Sequence, residues 1–552
     1  MAIKTSFKDR ALALILAGML ATAPLSGCGS TQVQTQPSTK TETGSVNSYT
    51  LTETEALPMY DSYAAEDCMV EPWIDVEFNT EEYAAIDEGG FISTATRPLS
   101  TVSADVDTAS WCNLRRMARD GYHLAYTDGN NPKAIDDYGY DYYAIPAGAV
   151  RIEEMLNYFS YDYAVGKTKD ERFGITTHLG PCPWNPDTEL LTVGFAAAPE
   201  DVASQKGRNL VFLIDVSGSM DSRDKLELLQ DAFEVLVDQL DAHDRVSIVT
   251  YASGEDLVLD GVSGDNHREI LRAIRRLRAD GSTNGERGLE LAYEVAERNF
   301  IEGGVNRIVM ASDGDLNVGM TSVSDLHDYV SKKRDTGIYL SVLGFGSGNY
   351  KDTKMETLAD DGNGSYHYID CIDEAERVFG ERLCANLVPF ADDVKVQVEF
   401  NPAQVKAYRL IGYENRAIAD EDFRDDTVDA GDVGPGAQFT VAYEIVRADS
   451  DFEVAGSDLK YQENVATGSD EWLTATIRYH AFDDDKVHEQ ELIVDKDAWT
   501  ENPGEDWSFQ AAVIELGMLM RDSEYAGTSS FEQIRKLAGT DRDGFLDVVE
   551  LL

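Results

Sequence analysis

Basic residues are scarce in this sequence. Lys and Arg number 47 against 101 Asp and Glu, giving a formal net charge of -54 at pH 7 and a pI near 4.3. Such an excess repels phosphate backbones, which excludes nucleic acid as a partner and favours cations. It also keeps a chain soluble without any further function. Cysteine is scarce as well, six residues in 552, and no CxxC pair exists, so neither a zinc-ribbon nor a thioredoxin reading arises. Enzyme signatures are missing: there is no GxSxG, no HExxH and no P-loop. The eight histidines, among them His178, His267 and His367, are scattered, and the chain reads as a non-enzyme. No segment beyond the first thirty residues approaches the roughly 18 apolar residues of a spanning helix.

What is present supports folding. The chain is 43% hydrophobic and 9% aromatic, enough for a real core. At roughly 150 residues per domain the length suggests about three or four domains. The start carries Lys4, Lys8 and Arg10, then a 15-residue apolar run from Ala11 to Leu25, the pattern of a secretory signal. That run ends in Leu25-Ser26-Gly27-Cys28, which resembles the lipobox of bacterial lipoproteins. The resemblance implies cleavage before Cys28, lipidation of that cysteine and an extracytoplasmic chain anchored to the cell or outer membrane. Loss of residues 1–27 removes three basic residues and Asp9, moving the charge to -56. Cys68, Cys112, Cys182, Cys371 and Cys384 remain, and an odd five allows at most two internal bridges of unassigned pattern.

Composition then divides the chain. Residues 28–90 read as a Ser/Thr/Gln-rich tether. Residues 91–172 carry a strand followed by two helices, one with Trp111, Leu114 and Met117 on its apolar face, the other with Val150, Met155, Leu156 and Phe159. The 105–110 stretch reads as a strand-to-helix turn capped by Asp107 or Thr108. Residues 207–388 alternate strands (210–215, 245–251, 307–311, 338–345) with helices (223–240, 267–278, 286–300, 321–335, 353–360), the pattern of a parallel sheet covered on both faces. Residues 173–206 and 389–505 alternate apolar and polar positions, as in Val394, Val396, Val398 and Phe400, and predict an antiparallel sandwich. Residues 506–552 predict helices, the first with Phe509, Val513, Leu516 and Met520 in register. The predicted fold is therefore α/β, with a Rossmann-like domain, an antiparallel β-sandwich and short helical segments.

Chemistry concentrates at three loops. The 210–215 strand runs into Asp215-Val216-Ser217-Gly218-Ser219, and the glycine predicts a sharp turn that points both hydroxyls inward. Gly281-Ser282-Thr283-Asn284 stands between two helices, and Ser312-Asp313-Gly314 follows the next strand. Oxygen-only donors suit Mg²⁺, with Mn²⁺ or Ca²⁺ as alternatives. These pieces, in this order, resemble the von Willebrand factor A domain with its metal-ion-dependent adhesion site. The resemblance implies that Ser217, Ser219 and Thr283 meet the metal while Asp215 and Asp313 act largely through water or hydrogen bonds. The cation then seeks a last ligand from an acidic side chain of a protein partner. The segments STVSADVDTASWCNLRR, DDVKVQVEFNPAQVKAYRLIGYENR and AVIELGMLMRDSEYAGTSSFEQI further resemble bacterial lipoproteins of the YfbK type, over roughly residues 90–550. That family implies an A domain set between the halves of a β-sandwich.

Two weaker features remain. Arg268, Arg272, Arg275, Arg276 and Arg278 form the one basic cluster, read first as ion-paired and second as a docking face for an acidic partner. The tail places Asp541, Asp543, Gly544, Asp547 and Glu550 at calcium-loop positions but Gly539 at the first, so a capped terminal helix is expected. Three functions are consistent with the sequence: a lipid-anchored binding protein, an envelope scaffold whose metal only stabilises loops, or a metal-dependent hydrolase. The last needs a general base by the metal, and no His or Glu stands in the motif loops.

Overall fold

The computed structural model describes residues 81–124, 144–168, 170–199, 207–282, 285–314, 323–348, 350–454, 467–482 and 486–552. The signal run, Cys28, Cys68 and nearly all of the tether lie outside them, as does Thr283. Among the described residues no helix is long and apolar enough to cross a membrane.

The central sheet runs Tyr366–Ile369, Tyr339–Phe345, Val305–Ser312, Arg208–Asp215, Arg245–Tyr251, Glu255–Ser263. All neighbours are parallel except the last pair. Alternation along the strands sends side chains to two cores. Leu210, Phe212 and Ile214 meet Leu229, Phe233 and Leu236 of the Leu228–Asp238 helix. Val211, Leu213 and Met310 face Tyr293 of the Gly285–Arg298 helix and Met355 of the Asp352–Asp361 helix. Both faces are buried, which is why these strands read as nearly unbroken apolar runs. The helix expected over 223–240 starts differently: Arg223–Glu227 is a π turn and the α-helix begins at Leu228. The strand at Glu255–Ser263 had no counterpart in the sequence reading, because most of its residues are half-buried or exposed at the sheet edge.

The sandwich has two antiparallel sheets. One orders Ile92–Ser93, Val405–Ile411, Gln438–Arg447, Glu189–Ala197 and Phe173–Pro181. In the other, Ala391–Phe400 pairs with Leu99–Ser103, Gly431–Val433 and Leu473–Ala481, which pairs with Lys486–Val494. Val394, Val396, Val398 and Phe400 point into the shared core, as their spacing predicts.

A helical layer joins the two parts. The Ala109–Arg119 helix lies against the Tyr366–Ile369 strand, and the Ile152–Tyr158 helix lies against the Gln438–Arg447 strand and the Glu505–Arg521 helix. Trp111 stacks on Phe545 at 5.5 Å, and Phe159 meets Phe509 edge-on at 4.9 Å. The Ile152–Tyr158 helix is buried all round, so Glu153 and Glu154 are interior rather than the polar face of an amphipathic helix. The Asp107 or Thr108 cap also fails. The Ser110 N–H is taken by Glu154 Oε2 at 2.7 Å, while Asp105 and Asp107 turn to Arg416 instead, each at 3.5 Å. The chain from Ile372 to Leu387 is broken into short turns rather than one helix carrying Cys371 and Cys384. Cys112, Cys182 and Cys371 are unbridged.

Candidate metal centre

The Arg208–Asp215 strand is where the sheet order reverses: the chain passes to the 245–251 strand on one side and returns to the 305–312 strand on the other. Ligand sites in such sheets form at the carboxyl ends of strands flanking this point. Asp215 is the last residue of the strand and is fully buried. Its Oδ1 accepts the Ser217 N–H at 2.9 Å and its Oδ2 accepts the Ser312 hydroxyl at 3.1 Å. Gly314 N–H donates to the same Ser312 oxygen at 3.0 Å, tying the third loop to the first. Burial pushes the Asp215 carboxyl up to about 6, against the hydrogen bonds from Ser217 and with the help of the Asp313 charge.

Ser217 is buried and Ser219 exposed, and their hydroxyls lie 2.9 Å apart. The glycine between them does not act as expected. Gly218 is outside the left-handed region; its N–H donates to the Gly281 carbonyl at 3.0 Å, and a Cβ would come within 3.2 Å of that oxygen. Close approach of the second loop, rather than a special dihedral, is what favours glycine there. Asp280 N–H donates to the Val216 carbonyl at 2.8 Å, so this loop is stitched to the first on both sides of Val216-Ser217. Asp215, Ser217, Ser219 and Asp313 thus come together, and the chain leading to Thr283 arrives beside them.

One member of this site was missed. Lys225, on the π turn, donates from Nζ to Asp313 Oδ2 and to the Ser219 carbonyl, each at 3.0 Å. Its side chain is only 10% exposed. The available signal was position: Lys225 precedes the buried Leu229 by one helical turn, on the face that should be apolar. The side-chain donors converging on the cleft are otherwise oxygens, which fits a hard divalent cation.

The basic cluster is divided. Arg275 bridges Asp231 at 2.8 Å and Glu234 at 2.7 Å. Arg268, Arg272 and Arg276 are exposed, with no carboxylate in ion-pair range among the described residues. Another group, Cys112, Asp370 and Glu374, gathers its donor atoms within 4.8 Å. Arg115 already supplies positive charge there, bonding Asp370 and Glu374. In the tail, Asp541 accepts from Gly544 and Leu546 N–H and so caps the Phe545–Leu551 helix. His367 is buried in the edge strand, 3.3 Å from the Thr108 hydroxyl, away from the motif loops.

Comparison with known proteins agrees with this architecture. The von Willebrand factor type A domain family matches residues 210–315, and the family described as uncharacterized protein YfbK, C-terminal, matches residues 385–547. A further von Willebrand factor family matches residues 77–128 and 138–192. YfbK of Escherichia coli (strain K12) is 38% identical over 490 residues, 86% of this chain and 81% of its own. The protein sll0103 of Synechocystis is 30% identical over 189 residues, 34% of this chain and 44% of its own. The solved von Willebrand factor type A protein from Catenulispora acidiphila is 15% identical, with 71% of this chain and 91% of that one covered and a TM-score of 0.41. A von Willebrand type A domain flanked by YfbK-like regions over most of its length, the chain belongs to the YfbK family.

Proposed function

We propose that this protein is anchored by a lipid on Cys28 to the cell membrane or outer membrane, faces the extracytoplasmic side, and binds an acidic group of a protein partner through its A domain. Von Willebrand type A domains serve protein interaction in general, and a divalent cation commonly sits at their adhesion site. The observation that carries the reading is the convergence of Asp215, Ser217, Ser219 and Asp313 at the sheet's switch point, with Ser219 open to solvent. These residues, with Thr283, would hold Mg²⁺, or Mn²⁺ or Ca²⁺ in its place. When bound, the cation supplies an open coordination position for a carboxylate oxygen. The residues themselves do the positioning: Ser217 N–H and the Ser312 hydroxyl fix Asp215, and the Gly218–Gly281 bond holds the second loop at the first. Arg268, Arg272 and Arg276, with Arg275 at their edge, would offset the repulsion between an acidic ligand and this acidic chain.

Crosslinking pulldown from intact cells, with and without EDTA, tests the proposal. Partners should be captured with Mg²⁺ and lost with EDTA, and lost again in the Asp215→Ala, Asp313→Ala double variant while its circular dichroism stays that of the wild type. Identical partners under all conditions would favour the scaffold reading, in which the cation only stabilises loops.

A further inference from the structure

Lys225 places a fixed positive charge inside this site. Its ammonium sits 3.0 Å from Asp313 Oδ2 and is held in place by the Ser219 carbonyl, a backbone group of the motif loop itself. The position is built rather than incidental. Gly346, at the end of the neighbouring Tyr339–Phe345 strand, has φ of +74°, and a Cβ there would lie 2.3 Å from the Lys225 Cγ. A side chain at 346 would displace the lysine stem.

The formal charges follow directly. Asp215, Asp313 and Lys225 together carry minus one. A divalent cation raises the sum to plus one, and a partner carboxylate closes it to zero. Without the lysine the same sequence runs minus two, zero, minus one. In a largely buried, weakly screened site these differences persist. We infer that Lys225 is an internal counter-cation: it lowers the affinity of the empty site for a divalent cation and raises the affinity of the loaded site for a carboxylate. The inference rests on the proposed cation site. Partner capture and cation retention are coupled through their mutual attraction, and Lys225 shifts the balance so that cation retention depends more on the carboxylate.

Mn²⁺ binding to the purified full-length protein, read by electron paramagnetic resonance with and without acetate, tests it. Lys225→Gln keeps donors for Asp313 and Ser219 but removes the charge, and should bind Mn²⁺ about tenfold tighter than wild type. Acetate should tighten Mn²⁺ binding in wild type and clearly less in Lys225→Gln. Lys225→Arg keeps the charge and should resemble wild type, with thermal melts confirming that both variants fold. Equal Mn²⁺ affinity in wild type and Lys225→Gln overturns the role of the lysine while leaving the cation site standing. Failure of wild type to bind Mn²⁺ at all, or unchanged binding in Asp215→Ala, overturns the site and the inference with it.

Discussion

Two regions of this molecule bury carboxylates, and they resolve the charge in opposite ways. At the sheet's carboxyl ends, Asp313 meets one ammonium, Lys225, Asp215 is held by Ser217 and Ser312, and Ser219 opens to the surface. At the junction of the A domain with the sandwich and helical layer, Asp105, Asp107, Glu154, Asp352, Glu356 and Asp360 surround the guanidiniums of Arg151 and Arg416. The first keeps a net negative charge and one residue, Ser219, open to solvent. The second supplies its cations from within, and all of its carboxylates but Asp360 are buried. Buried acid therefore does not by itself mark a binding site in this acidic chain. What separates the two is whether fixed cations already reach the carboxylates, and whether a donor opens to solvent.

Breaking the closed region should have the largest effect. Arg416 contacts four carboxylates, from the 105–107 stretch and from the Asp352–Asp361 helix. Arg416→Ala leaves buried Asp105 and Asp107 without a cation, while Glu356 keeps Arg151, and should cost about 3–5 kcal/mol. Urea unfolding measures it, and Asp107→Asn added to Arg416→Ala should recover part of the loss. An unaffected Arg416→Ala would show that the junction is as solvated as the metal centre, and the contrast would collapse.

The contrast also explains what the sequence could and could not reveal. The candidate metal centre is legible because its residues are short contiguous pieces at strand ends, where strand periodicity fixes their direction. The resemblance to the von Willebrand factor A domain, carried by the order of those pieces, assigned Asp215 and Asp313 to one cleft. The sandwich faces were legible for the same reason, as Val394 to Phe400 shows. The junction is assembled from residues some 300 positions apart, and each looked ordinary locally. Asp107 resembled a helix cap, and Glu153 and Glu154 fell outside the apolar set of Val150, Met155, Leu156 and Phe159 on their helix. Only the tertiary fold shows that this helix has no wet face. Lys225 fell between these cases: its place on the apolar face was visible, but not the carboxylate it meets.

A middle-sized effect concerns Glu153, a buried junction carboxylate that no arginine contacts directly among the described residues. Neither oxygen of Glu153 has a hydrogen-bond partner among the described residues. Burial, with the charge of Glu414 behind it and Arg521 opposing, pushes its pKa from 4.5 up to about 8. A carboxyl raised in the folded state favours folding fully below its unfolded value and loses that contribution as pH climbs through the folded value. Wild type should therefore weaken between about pH 5 and pH 8 relative to Glu153→Gln, which is neutral throughout. We expect the variant to be about 1–3 kcal/mol more stable than wild type at pH 8 and nearly equal at pH 5. Parallel pH profiles would place a compensating cation at Glu153 and make the junction resemble the metal centre.

The smallest effect isolates burial from chemistry. Arg275 has the same arrangement as the junction arginines, one guanidinium between Asp231 and Glu234 at 2.8 and 2.7 Å, but all three side chains are between 40% and 46% exposed. Water screens this group on every open side, so Arg275→Ala should cost about 0.2–1 kcal/mol. The cost should shrink as salt is raised from about 0.05 M to about 0.5 M, because exposed pairs are screened over a Debye length of a few ångströms at high salt. Arg416→Ala, with Asp105, Asp107 and Glu356 buried, should keep most of its cost across the same range. If the two variants respond alike to salt, the geometry of the pairs rather than their exclusion from water sets their strength, and the division between an open and a closed charged region loses its physical basis.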